Sequence, residues 1–440
     1  MGGYAQWANA FLREAFDYAR DFALLSNLFA KIWGSTTKNS VVLATCGTLA
    51  PQTRWQAVAQ PRHNPHCAWY GVAASQHFCF FLFYIFRMHL FMASSTQKTI
   101  SLALQGGGSH GAFTWGVLDA LLEDGRLDID GVSGASAGAM NAMALGQGFM
   151  LAKSNKADPR ETAREALASF WNAVISLGAA SNIQRSMMDA WMGGWKMAAP
   201  AVQSNLSPYQ TNPLDINPLR NLVEKQFDFE RIGKLAEPRI FVSATHVNTG
   251  KAEIFSGKRL TAAALMASAC LPMLFQAVEI EGEHYWDGGF SGNPAMHPLI
   301  YRCHASDVVL VQINPLERNA APTGAAGIMD RINELTFNAS LLSQMRAIDF
   351  VNRMLERGNL DADRYRKVLL HRIDGGEALE AYSAASKTST DGAMINQLRD
   401  LGRDCAAKWL KKRFSDVGHK TTVDIARDYL DDMRMGSLGD

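Results

Sequence analysis

The chain reads as an α/β protein: a mainly parallel sheet fed by strand-to-helix turns, with an N-terminal extension before it and a helical region after it. Three observations predict this class. A short β-type run, TISLALQ (99–105), passes through a glycine-rich turn into a helical stretch. A second apolar run, with Leu127, Ile129 and Val132, passes through another tight turn into the helix-favouring AMNAMALGQGF. A third run, VVLVQIN (308–314), is apolar nearly throughout, as a strand covered on both faces must be. With 440 residues, 48% of them hydrophobic and 19% charged, the chain can hold one large domain with appendages or two to three domains, around a sizeable core.

Composition excludes some functions. A formal net charge of +1 offers no basis for a nucleic-acid partner. The six cysteines (Cys46, Cys67, Cys79, Cys270, Cys303, Cys405) show neither C-x-x-C nor zinc spacing, so they read as reduced, mostly buried thiols. That usage places the chain in the cytoplasm or peripherally on a membrane facing it. No metal-ligand cluster appears, and no cofactor is implied.

Taken in order, residues 4–33 carry Trp7, Phe11, Ala15, Phe22, Leu25 and Phe29 near a 3.6-residue period, with Arg13, Glu14, Asp17 and Arg20 largely off the stripe. This is an amphipathic helix, packed on its own protein or lying on a lipid surface. No acidic residue occurs between Asp21 and Asp119. The apolar run FCFFLFYIF (78–86), extended back over 68–86, is a marginal membrane span interrupted by Ser75, Gln76 and His77. Three readings of 34–93 stay open: a membrane anchor, a buried hairpin, or an upstream extension (1–91) outside a mature protein that starts at Met92.

Patterning sharpens from Lys98. GGGSHG (106–111) follows the first strand, and AFTWGVLDALLEDG (112–125) is a helix ended by Gly125. Successive glycines let backbone N–H groups converge on a small anion. The anion could be a dinucleotide pyrophosphate, since GGGSHG also fits G-x-G-x-x-G, or the oxyanion of an acyl-transfer intermediate. A dinucleotide site expects a carboxylate at the end of the second strand, but Asp128 and Asp130 lie at or before that strand, which runs into GASAG (134–138). Gly134-Ala135-Ser136-Ala137-Gly138 is a Gly-x-Ser-x-Gly elbow, which lifts a serine hydroxyl onto a strained strand-to-helix turn. One glycine-rich turn beside one serine turn at the carboxyl edge of a parallel sheet makes an acyl-transfer site.

The serine needs a base. Far downstream, an alternating run through Val278, Ile280, Tyr285 and Trp286 reaches Asp287, followed at once by Gly288-Gly289. His297 in NPAMHPL could instead complete a Ser136–Asp287–His297 triad. A free aspartate, with a pKa of about 4, is a poor base at neutral pH, so Asp287 must be perturbed by burial.

GGGSHG, GASAG and DGG (287–289), in that order, resemble the patatin-like phospholipases, as do the flanking segments SATHVNTGKAEIF (243–255) and ALMASACLPMLFQAVEIEGEHYWDGG (264–289). The resemblance covers roughly 98–315. It implies a three-layer α/β/α fold, Ser136 as nucleophile and Asp287 as base, working without a metal. It also implies an oxyanion loop over Gly106, Gly107, Gly108, Ser109 and Gly111, with the N–H groups of Gly107 and Gly108, and Ser109 as a third candidate, as its donors. Gly134, Gly138, Gly288 and Gly289 complete the elbow and the acid motif. Two departures stand out: Gln105 where many members carry Asp, and His110 where Arg or Lys is frequent. His110 would then stabilise the loop, or meet a phosphate head group only when protonated.

Between nucleophile and acid, 161–177 is helical, the Met/Trp-rich 187–201 packs on its domain or serves as an acyl-chain flap, and 207–220 is a loop at the site rim. After a linker (320–327) come an amphipathic helix from Ile328 to Leu355, a strand (365–373) and a helix (394–414). The expected organisation is an extension over 1–97, a catalytic domain over 98–315 and a helical region over 316–440 packing on it. The expected activity is hydrolysis of phospholipid or other lipid esters, of phospholipase A or lysophospholipase type, with membrane-surface contact possible in principle. Competing readings are an acyltransferase or thioesterase using the same dyad, and a catalytically silent lipid-binding scaffold.

Overall fold

The structure is a computed structural model that describes residues 97–191 and 207–430, apart from 319, 383–385 and 388. The expected N-terminal helix, the 68–86 span and most of the Met/Trp stretch lie outside the described residues.

An eight-stranded sheet runs in the order β5-β6-β3-β2-β1-β7-β8, with β4 paired to β3. Its strands are β1 (Lys98–Leu104), β2 (Leu127–Ala135), β3 (Arg239–His246), β4 (Ala252–Ser256), β5 (Val278–Ile280), β6 (Glu283–Asp287), β7 (Asp307–Gln312) and β8 (Leu369–Asp374). The five strands β3, β2, β1, β7 and β8 are parallel, while β4, β5 and β6 join antiparallel. Helices cover both faces. On one lie α1 (Gly111–Asp124), α2 (Ala137–Asn155) and α3 (Pro159–Trp191), and on the same side α8 (Gly392–Arg413) runs along α1. The other helices of six residues or more among the described residues are α4 (Pro218–Gln226), α5 (Ala262–Ser268), α6 (His297–Arg302) and α7 (Ala325–Glu356). The other face is covered by α6 and α7.

The alternation of side chains in the strands explains this layering. In β1, Ile100, Leu102 and Leu104 enter the first core and Ala103 the second; in β7, Val309 and Val311 face one way, Val308 and Leu310 the other. A strand buried on both faces needs apolar residues at every position, which is why these runs are legible without period-2 alternation.

α1 is buried along most of its length because it lies under α8 as well as on the sheet. The two helices approach so closely that Gly116 leaves no room for a Cβ against the Arg399 carbonyl, nor does Gly402 against the Phe113 carbonyl. Gly125 ends α1 in the left-handed region at φ 72.

Two elements differ from the sequence expectation. The run reaching Asp287 is a hairpin, not one strand: Glu281 and Gly282 both take positive φ, 54 and 83, and fold β5 onto β6. Positive φ at both turn positions matches the right-handed twist of the paired strands. The strand expected over 365–373 begins only at Leu369, where it can pair with Asp307 of β7.

Valine at 402 should drive Cγ atoms into the α1 backbone. Gly402→Val is expected to destabilise the protein by about 1–3 kcal/mol or more, read as a lowered thermal midpoint, whereas Gly324→Ala, exposed at φ −89 with open space around it, moves it less.

Candidate active site

Ser136 sits between β2 and α2 with φ 52 and ψ −123, a conformation disfavoured for any residue with a side chain. The strain is held from several sides. The Ser136 N–H donates to Ser268 Oγ at 2.9 Å. A Cβ on Gly134 would strike the Gly138 backbone, and one on Gly138 would strike the Leu104 carbonyl, so the elbow can close only through glycines. The N-terminus of α2 starts beside the hydroxyl and presents its positive dipole end there. Ser136 is only 8% exposed.

Asp287 reaches Ser136 through strand register. β2 occupies one edge of β3 up to the pair Ala135–Ser243, and β4 occupies the opposite edge over Phe241–Thr245. β6 pairs with Ala244–His246, so it must take the first edge where β2 leaves off, with Asp287 opposite Ala244. The residue after Ala135 and the last residue of β6 thus meet at one point of the sheet.

The carboxyl of Asp287 is wholly buried. Oδ1 accepts the Gly289 N–H at 2.7 Å, while Oδ2 has no hydrogen-bond partner among the described residues. Burial raises the pKa of Asp287 to about 7, opposed by the Gly289 N–H and by the nearby Ser136 hydroxyl. The hydroxyl stands close enough to favour the charged form yet falls short of hydrogen-bond geometry, a looseness common in sites without substrate. The backbone is fixed by Asp287 N–H to the Cys270 carbonyl (2.8 Å) and by Thr245 Oγ1 to the Asp287 carbonyl (2.7 Å). Gly288 packs on the Ser243 carbonyl with no room for a Cβ.

The glycine loop lies against the elbow: a Cβ on Gly106 would come within 2.8 Å of Ser136 Cβ. Of the five residues expected to line an oxyanion hole, two have spent their N–H groups. Gly106 N–H donates to Asn293 Oδ1 at 2.6 Å, and Gly111 N–H goes to the Gly108 and Ser109 carbonyls. Gly106 and Gly111 therefore shape the loop rather than donate. The N–H groups of Gly107 and Gly108 have no partner among the described residues. Ser109 Oγ donates to the Ser389 carbonyl, tying the loop to the segment ahead of α8.

Gln105 and His110, the two departures, are both buried. Gln105 Oε1 accepts the N–H groups of Ile313 and Asn314 at 2.9 Å each, and its Nε2 donates to the Asn293 carbonyl at 3.3 Å. A carboxylate could accept the first two but not make the third. His110 Nε2 lies 2.7 Å from Ser386 Oγ, and burial, with the Lys387 and Arg318 charges adding, pushes its pKa down to about 4. It is a neutral packing residue at physiological pH and not a head-group cation. His297 opens α6 at the surface and makes no hydrogen bond to Asp287, so the three-residue variant has no geometry behind it. Asn293, Asn314 and Ser268, which hold the loop and the elbow, carried no sequence signal beyond lying next to strands or turns.

The family described as patatin-like phospholipase matches residues 102–300. Residues 102–300 carry a patatin-like phospholipase domain. In general class it is a lipid acyl hydrolase acting on lipid esters. VipD from Legionella pneumophila, a solved structure, is similar over 78% of this chain and 74% of its own, at 14% identity and a TM-score of 0.33, a level that adds nothing to the reading of the fold. No curated protein matches the chain.

A cavity of about 430 Å³ opens at the carboxyl ends of β7 and β8 and takes in Asn314, but neither Ser136 nor Asp287 lines it. Among the described residues no group of three or more His, Cys, Asp or Glu could hold a metal ion, and no helix is long and apolar enough to cross a membrane.

The buried carboxyl has a consequence for stability. Folded Asp287 keeps its proton to about pH 7, whereas the unfolded side chain releases it near pH 4, so the fold loses on the order of 4 kcal/mol between those values. Asparagine has no charge to bury. The thermal midpoint of Asp287→Asn minus that of wild type should rise from pH 4 to pH 8; a difference independent of pH would contradict the burial of a titrating carboxyl.

Proposed function

We propose that the chain is a serine hydrolase of phospholipase A or lysophospholipase type, with Ser136 as nucleophile, Asp287 as base and the Gly107 and Gly108 N–H groups as oxyanion donors. The observation that carries the reading is the wholly buried Asp287, whose carboxyl stands near the Ser136 hydroxyl and keeps one oxygen without a hydrogen-bond partner among the described residues. A buried polar atom left without a partner costs about 1–3 kcal/mol. Asp130 Oδ1 in β2 is likewise buried without a partner, but only the Asp287 carboxyl stands near the serine of the elbow, where a proton must be taken.

The chemistry follows from those positions. Ser136 Oγ attacks the ester carbonyl carbon as its proton passes to Asp287 Oδ2, and the carbonyl π pair moves onto oxygen, where the two glycine N–H groups receive it. Collapse breaks the bond to the alcohol, which leaves with the proton from Asp287. Water then attacks the acyl-enzyme, gives its proton to Asp287, and the fatty acid departs as Ser136 regains its hydrogen. A base with a pKa near 7 is matched to this task, because it is ionised at working pH yet still able to hold a proton.

Lipid chemistry is further supported by the rim. The chain leaving Ser268 and Cys270 emerges at Met273, 76% exposed, and Leu274. Gln276 Nε2 donates to the Asn212 carbonyl at 2.8 Å, bringing in the neighbouring loop with Tyr209, Leu214 (80% exposed) and Ile216. Large apolar side chains exposed on the segment that follows Ser268 and on the loop bonded to it suit acyl chains or a lipid surface.

Labelling with a fluorophosphonate tests the reading. Wild type should be labelled stoichiometrically and Ser136→Ala not at all, while Asp287→Asn should lose about 100-fold or more in turnover. A folded wild type that stays unlabelled would rule the proposal out. The kcat/KM for a neutral ester should climb through about pH 7 and level off above it, since the base must be ionised; a profile flat from pH 5 to 8 would exclude Asp287 as that base.

A further inference from the structure

Behind the glycine loop lies a cation that the reaction scheme above does not use. Lys387, on the segment between β8 and α8, is partly buried, and its carbonyl lies where a Cβ on Gly108 would be. Its Nζ donates to Asn314 Oδ1 at 2.8 Å. The other end of that amide, Asn314 Nδ2, donates to the Gly106 carbonyl at 2.8 Å and to Gln105 Oε1 at 3.2 Å. The Gly106 carbonyl belongs to the same peptide unit as the Gly107 N–H. A hydrogen bond accepted at the oxygen of a peptide polarises it and strengthens its N–H as a donor.

We propose that Lys387 is a positioning residue for the oxyanion hole: its ammonium fixes and polarises the Asn314 amide, which in turn orients and polarises the Gly106–Gly107 peptide. The inference rests on the serine-hydrolase reading above. The surroundings fit this role better than a surface ion pair. Glu334, 3% exposed, is already shared by Arg318 at 2.5 Å and Arg331 at 3.1 Å, so this carboxylate is engaged by two arginines, while Lys387 donates to an amide. The same segment grips the loop at two more points, Ser109 Oγ to the Ser389 carbonyl and His110 to Ser386. The hole would thus be completed by a part of the chain outside the matched 102–300.

The test uses the full chain and p-nitrophenyl butyrate, with kcat, KM and thermal unfolding measured for Lys387→Met, Lys387→Arg, Asn314→Ala and the Met/Ala double variant. Activity of wild type and its loss in Ser136→Ala check the underlying reading separately. Lys387→Met is expected to lower kcat roughly 10–100-fold, less than or equal to the loss of a whole oxyanion donor, with KM within about twofold of wild type. Lys387→Arg should recover kcat to within about fivefold, and the double variant should be no slower than Asn314→Ala, because the lysine acts through the asparagine. A folded Lys387→Met with unchanged kcat, a loss confined to KM, or losses that multiply in the double variant would overturn the proposal. Should Lys387→Met not fold, Lys387→Gln serves: it keeps a donor for Asn314 but no charge, and kcat equal to that of Lys387→Arg would overturn the proposal equally.

Discussion

The site depends on how β3 shares its edges. β2 and β6 meet end to end along one edge, and β4 is excluded to the other. Because a strand edge offers one set of hydrogen-bonding groups per residue, β6 cannot advance past Ala244 without displacing β2, nor retreat without leaving Ala244 unpaired. The junction therefore fixes Ser136 and Asp287 relative to each other through backbone bonds that neither side chain can alter. The hairpin β5–β6, turned by Glu281 and Gly282, delivers the acid to that junction from far along the chain.

Everything else around the junction maintains groups that would relax if left alone. Ser136 in a disfavoured backbone region, a carboxyl wholly out of water and two peptide N–H groups without partners among the described residues are each unfavourable for folding. They persist because the neighbourhood is over-determined: Ser268 grips the elbow, Asn293 and Asn314 grip the two sides of the Gly106 peptide, and Gln105 ties β1 to the end of β7. Asn141 adds a further tie, donating to the Gly111 carbonyl and accepting from Trp171, so the far end of the loop is anchored to α2 and α3 together. Strain concentrated at one point inside a rigid frame is the expected signature of a preorganised reactive site.

How much of this could be read from residues follows from the same physics. The elbow, the glycine loop and the Asp-Gly-Gly turn were legible because Gly134, Gly138, Gly106 and Gly288 occupy places with no room for a Cβ, a demand only one residue type meets. The buried strands β1 and β7 and the helices α1, α7 and α8 were legible from period and from Gly125 as a stop. Asn293, Asn314, Ser268 and Lys387 were not, because a hydrogen bond across the fold leaves no local trace and several polar residues could have made it. β4 escaped as well: it is a short, half-covered strand, Ala252–Ser256, whose pairing with β3 exists only in three dimensions. Nor does anything in GGGSHG reveal that Asn293 takes the Gly106 N–H.

In the proposed reaction the acyl group passes through Ser136. Acid-quenching the protein during turnover of p-nitrophenyl butyrate, followed by peptide mass spectrometry, tests it most directly. The account predicts a butyryl group on the peptide containing GASAG, at Ser136, and none on that peptide in Ser136→Ala. A butyryl group on another residue of an actively turning-over enzyme, or its persistence in Ser136→Ala, would contradict it.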